Sequence, residues 1–163
     1  TKKCGIFFYY YFSFCFIFNF CFLNMNDKFE QISLKPGFMQ HNGGLLFKDV
    51  SENEYHFKTT ITKNHLNAAG ITHGGFIAAV VDAGAGTAAH RAANSSPCVT
   101  ISLELKFISP VKLDQELMGM VKIQKKTKSM VFLTCELKSL EKIVATASGV
   151  WKILKLTGAG PGG

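Results

Sequence analysis

Three kinds of group that can act together on a carbonyl lie near the middle of this 163-residue chain. Asn67 supplies an amide side chain, Gly74 and Gly75 a glycine-rich helix start, and Asp82 a carboxylate two turns further on. Helix starts expose N–H groups without intrahelical partners and carry the positive end of the helix dipole, which suits a developing oxyanion. A carboxylate close by can serve as base or nucleophile. His73, directly before the glycines, is disfavoured as a cation at a helix N-terminus, so shaping the helix start suits it as well as acid–base work.

The element that must position these groups is a helix from about His73 to Ala93. The stretch has no proline and many alanines, and Thr72 is placed to cap it. Plotted at 100° per residue, Phe76, Ile77, Val80 and Val81 form a bulky face. Gly75, Ala78, Ala79, Asp82, Ala85, Gly86 and Ala89 form the opposite stripe, all small except the aspartate. A helical glycine costs roughly 1 kcal/mol against alanine, so Gly84 and Gly86 point to close approach by another backbone or a ligand. Asp82 lies eight residues beyond Gly74, ~12 Å along the axis at ~1.5 Å per residue. If both groups act on one carbonyl, the second must come from another copy of the chain, across a two-fold axis.

The rest of the body is strand-like. Leu45 to Ile61 reads as one or two strands meeting around Asn53, after turns at Pro36-Gly37 and Gly43-Gly44 and a short helix before Pro36. Beyond Pro97, Val99, Ile101, Leu103, Leu105 and Phe107 alternate with polar residues, the pattern of a half-buried strand. Glu116–Lys125, Ser129–Leu137 and Lys142–Leu154 read as three more. One long helix followed by an antiparallel meander is α+β, with a curved sheet wrapping a single central helix.

Lys and Arg exceed Asp and Glu by 18 to 11, but the lysines are scattered without interleaved aromatics, which argues against nucleic acid. A polyphosphorylated small ligand fits the excess equally well. Of five cysteines only Cys98 and Cys135 lie in the body, forming neither a disulfide framework nor a zinc spacing, and a reducing, cytoplasmic setting follows. Residues 1–24 stand apart: Ile6 to Leu23 holds eight of the fifteen Phe and three of the four Tyr. The preferred reading is an upstream reading-frame extension with Met25 as the biological start, a membrane anchor being the alternative. Residues 25–156 then form the domain, and 157–163 a disordered tail.

The combination of Asn67, Gly70, His73-Gly74-Gly75 and Asp82 resembles the signature of PaaI-type hotdog-fold acyl-CoA thioesterases. Val99–Pro110 and the ending Ala145–Trp151 also look like that family, so the resemblance covers roughly residues 40–155. It implies a hotdog fold, thioester hydrolysis without metal or redox cofactor, and coenzyme A as part of the substrate. By similarity the Gly74 amide polarises the thioester carbonyl, and Asp82 of the facing subunit activates water or attacks. Asn67 orients substrate or water, His73 shapes the helix start, and Thr100 falls where relatives carry a hydroxyl that assists the water. Gly75 lies in the same donor array. Arg91, Lys125, Lys126 and Lys128 are available to coenzyme A phosphates, a solvated hairpin face being the plainer reading. Where relatives often have glycine before the third strand, this chain has Asp114. His41, His56, His65 and His90 read as surface or loop residues. A homodimer, or a dimer of dimers, is implied. A hotdog enoyl-CoA hydratase or dehydratase and a non-catalytic acyl-CoA-binding protein are the alternatives.

Overall fold

The computed structural model describes residues 28–155, so the expectations for residues 1–24 and 157–163 lie outside the described residues. Seven strands and two helices follow one another: β1 (Glu30–Ile32), α1 (Phe38–His41), β2 (Leu45–Ser51), β3 (Glu54–Thr60), α2 (Gly74–Ala92), β4 (Cys98–Phe107), β5 (Glu116–Lys126), β6 (Met130–Ser139) and β7 (Lys142–Ile153). A short 3-10 turn, Lys63–His65, precedes α2. The strands form one antiparallel sheet in the order β1-β2-β3-β5-β6-β7-β4, and α2 packs on it. The segment before Pro36 is strand β1, not a helix; the helical turn comes after Pro36-Gly37. So short a segment before a proline is below the length an isolated helix needs, and β1 gains ladder bonds from β2 instead.

Local sequence explains the meander. β5 and β6 meet at Thr127–Ser129, where the Thr127 hydroxyl accepts the Met130 N–H at 3.0 Å. β6 and β7 meet at Leu140-Glu141, both with positive φ, the twist a two-residue hairpin requires. Asp114 has φ +62° and donates its N–H to the Ile61 carbonyl at 3.0 Å. Aspartate is among the few side chains that tolerate this region, which is why it can stand where the resemblance expects glycine.

The helix buries Phe76, Ile77, Val80 and Val81 as its bulky face predicts, but the small-residue stripe divides differently. Gly84, Ala85 and Ala89 belong to the core, continuing the Ile77–Val81 row at helical spacing. The open side is Gly75, Ala78, Ala79, Asp82, Ala83 and Gly86. Gly84 is small because of Phe57, not a ligand: a Cβ there would stand 2.3 Å from the Phe57 ring. That ring is wedged between Gly84 and Gly119, where an added Cβ would be 2.1 Å away. Gly84→Ala therefore destabilises by about 1–3 kcal/mol, overpacking outweighing the ~1 kcal/mol gain in helix propensity. Thermal unfolding followed by circular dichroism should show a midpoint several degrees lower; an unchanged midpoint would mean that Phe57 moves freely.

Strand β4 departs from its expected half-burial. Leu103 and Leu105 are partly covered and pack on the core, whereas Val99, Ile101 and Phe107 are exposed by 42%, 57% and 57%. The reason is topological: β4 is an edge strand, bonded only to β7, and its other edge is unpaired among the described residues. Among the described residues no helix is long and apolar enough to cross a membrane.

Candidate active site

The first turn of α2 gathers part of the sequence motif. His73 is the N-cap residue, and its Nδ1 accepts the Gly75 N–H at 2.8 Å. The Phe76 N–H goes to the His73 carbonyl at 2.9 Å. The ring nitrogen thus does a capping residue's work, fixing the helix start, while the Gly75 amide is occupied. The Gly74 N–H finds no acceptor among the described residues and lies half-buried at the positive end of the dipole. Phe107 stands over it, so that a Cβ on Gly74 would lie 3.6 Å from the ring edge.

Asn67 sits in the loop leading to that turn. Its Oδ1 accepts the Ala69 and Ile71 N–H groups at 2.9 and 3.4 Å. The oxygen therefore holds its own loop in shape, in the manner of an Asx-turn, and the side-chain NH2 is the end left for a ligand.

Two turns along the helix, Asp82 and Thr100 come together: the Thr100 hydroxyl donates to Asp82 Oδ1 at 2.7 Å. Both line an open groove of about 620 Å³, with Ala83, Gly86, Thr87 and His90 on the helix side and Pro97, Cys98 and Val99 on the strand side. Trp151, buried under Gly86, forms its floor. Burial pushes the Cys98 thiol up from its ordinary range, so Cys98 is a neutral wall of the groove. Cys135 is pushed up to about 12 by burial in the core and is inert.

The four cations expected at phosphates lie outside the lining of this groove. Arg91 and Lys126 flank the C-terminal end of α2 and line a cavity of about 420 Å³ with Tyr55, Asn94 and Ile123. Lys126 Nζ donates to the Ala92 carbonyl at 2.8 Å, capping the helix. Arg91 pairs with Glu30 and lies 3.9 Å from Asp49, so a phosphate there would compete with two carboxylates. Lys125 and Lys128 are exposed on the β5–β6 hairpin.

One chain therefore holds two separate groups, Gly74 with His73 and Asn67 at one end of the open helix face, and Asp82 with Thr100 at the other. Reading the sequence missed the groove walls His90, Cys98 and Trp151, and it missed the burial of His65, which lies in the loop before α2. Its signal was the spacing Thr62-Lys63-Asn64-His65, a capping box with histidine in the reciprocal position.

Known proteins resemble this chain over the span that holds these residues. The family model of the thioesterase superfamily matches residues 69–146, the span that includes Gly74, Asp82 and Thr100. A Pseudomonas aeruginosa protein described as a candidate esterase is 26% identical over 132 residues, 80% of this chain and 98% of that one. Acyl-coenzyme A thioesterase 13 of Mus musculus is 28% identical over 87 residues, 52% of this chain and 62% of that one. The solved PaaI protein of the E. coli phenylacetic acid degradation operon superposes with a TM-score of 0.61 at 19% identity, over 68% of this chain and 80% of that one. The chain is similar to the thioesterase superfamily over that span and has the hotdog fold. Within that class its fold is similar to that of the PaaI-type proteins.

Proposed function

We propose that this protein hydrolyses acyl-CoA thioesters to a free acid and coenzyme A, in a site completed by a second copy of the chain. The observation that carries this reading is the Asp82–Thr100 pair at the mouth of a groove on an otherwise small-residue helix face. Because the Thr100 hydroxyl donates its hydrogen bond to the Asp82 carboxylate, the lone pairs of its oxygen are free to accept from a water molecule. Asp82 takes a proton from that water as the water oxygen attacks the carbonyl carbon. The carbonyl oxygen gathers negative charge against the Gly74 N–H, the C–S bond breaks, and the coenzyme A thiolate takes up a proton.

The second copy supplies what the ~12 Å between Gly74 and Asp82 withholds. Among the described residues β4 has an unpaired edge with exposed apolar side chains, the kind of edge that pairs with another strand. Phe107 marks the Gly74 end of the helix and Thr100 the Asp82 end. Antiparallel pairing of β4 with itself about its middle sets Thr100 of one chain opposite Phe107 of the partner subunit. Asp82 then faces Gly74 of the partner subunit, and the small-residue faces of the two helices adjoin. Arg91 and Lys126 beyond the Asp82 groove are candidates to meet coenzyme A phosphates.

The test is a panel of aryl, short-chain and medium-chain acyl-CoAs with thiol release monitored. Hydrolysis of at least one member well above the uncatalysed rate is expected. Absence of thiol release across the panel, with the protein folded, would refute the reading. Hydration of an enoyl-CoA in its place would point to the hydratase alternative.

A further inference from the structure

His65 bears on the first turn of α2 twice. Its carbonyl accepts the His73 N–H at 2.7 Å, and its ring lies flat on Phe76, centroids 3.7 Å apart and planes 11° apart. Gly74 stands between these two anchor points. The ring is 3% exposed and engaged at both nitrogens: Nδ1 accepts the Thr62 N–H at 3.1 Å, and Nε2 faces the Asn42 carbonyl at 3.2 Å. A backbone N–H only donates and a carbonyl only accepts, so these partners admit one state, the neutral ring with its proton on Nε2.

A proton added at Nδ1 would oppose the Thr62 N–H donor to donor, and the new charge would sit beside the positive end of α2. Burial holds this imidazole below the ordinary histidine range, against the upward pull of the Asn42 carbonyl. The other ionisable groups around it are Lys63 in its own turn, His41 on α1, Lys58 on β3, Glu116 on β5 and His73 before α2. Of these, His41, Lys58 and Glu116 line the same cavity of about 500 Å³ as His65, and Lys58 and Glu116 pair with each other at 2.9 Å.

We propose that His65 is the positioning residue of the Gly74 N–H: neutral, it locks the first turn of α2 onto Thr62 and Asn42, and taking up a proton releases that turn. This rests on Gly74 being the oxyanion donor of the reading above. The sign follows from linkage. The unfolded chain takes up this proton near the ordinary value of ~6.5, the folded chain only lower. Stability is therefore full above ~6.5 and falls as pH drops towards the folded value. Turnover then falls about tenfold per pH unit below the folded-state step, as one inactivating proton requires.

The experiment follows the Gly74 amide by NMR in the full chain, across roughly two pH units either side of ~6.5, alongside the pH profile of kcat. In the wild type the amide shift should track the imidazole assigned to His65 through its ring contact with Phe76. In His65→Gln, which keeps an acceptor and a donor but cannot titrate, that dependence and the matching step in kcat should both vanish. If the amide instead tracks the imidazole lost in His73→Asn, or no histidine at all, the proposal is overturned. Should His65→Gln not fold, the wild-type assignment decides alone. The NMR arm needs no turnover, so a folded chain that hydrolyses no acyl-CoA refutes the thioesterase reading and leaves His65 to be judged by its amide.

Discussion

Replacing Asp82 by asparagine lowers kcat for acyl-CoA hydrolysis by at least ~100-fold, about 2.7 kcal/mol of transition-state stabilisation. KM should change little. Asparagine has nearly the carboxylate's shape, and its oxygen can still accept the Thr100 hydroxyl, so the groove of Ala83, Gly86 and Val99 stays open. What the amide cannot do is take a proton from water or attack a carbonyl. Loss confined to kcat marks an interaction made in the transition state, whereas a rise in KM alone would mark uniform binding. Thr100→Ala should cost less, because the carboxylate remains and only the hydroxyl that steadies it is gone. Turnover of Asp82→Asn within a few-fold of wild type would show Asp82 to be structural and remove the proposed base. Steady-state kinetics on the best substrate of the acyl-CoA panel measure all of this.

The sequence displayed the chemistry of this site more clearly than the packing around it. His73, Gly74, Gly75 and Asp82 sit where their spacing puts them, because a helix start and a 3.6-residue period are local properties. The bulky face of α2 was legible for the same reason. The small face was not, since Gly84, Ala85, Gly86 and Ala89 differ too little in size and polarity for a period to sort them. Phe57, from a strand far away in sequence, decides that Gly84 is core. The alternation along β4 was read correctly as apolar against polar, yet alternation cannot say what covers the apolar side. Val99, Ile101 and Phe107 are exposed because nothing among the described residues covers them. His65 escaped for a similar reason. Its partners Asn42 and Thr62 are backbone groups, which leave no trace in side-chain patterning.

Gly74→Pro should cost about 10²–10³ in kcat, the usual loss when one oxyanion donor is removed. Few positions permit so clean a deletion. Proline is favoured at the first position of a helix, where its missing N–H breaks no helical bond. The residue before it, His73, already has φ −64° and ψ 131°, the extended conformation that proline demands of its predecessor. Alone, the variant tests the donor: wild-type turnover would remove Gly74 from the mechanism. Combined with Asp82→Asn it tests whether the site is shared. Mixed after reversible dissociation, the two nearly inactive chains form mixed dimers in half of all pairings. If each site takes Gly74 from one subunit and Asp82 from its partner, every mixed dimer holds one doubly damaged site and one intact site. Roughly a quarter of wild-type activity should return. If Gly74 and Asp82 of the same chain served one carbonyl, no pairing could restore a complete site. Subunit exchange confirmed by mass, without recovered activity, would therefore rule out the two-chain site.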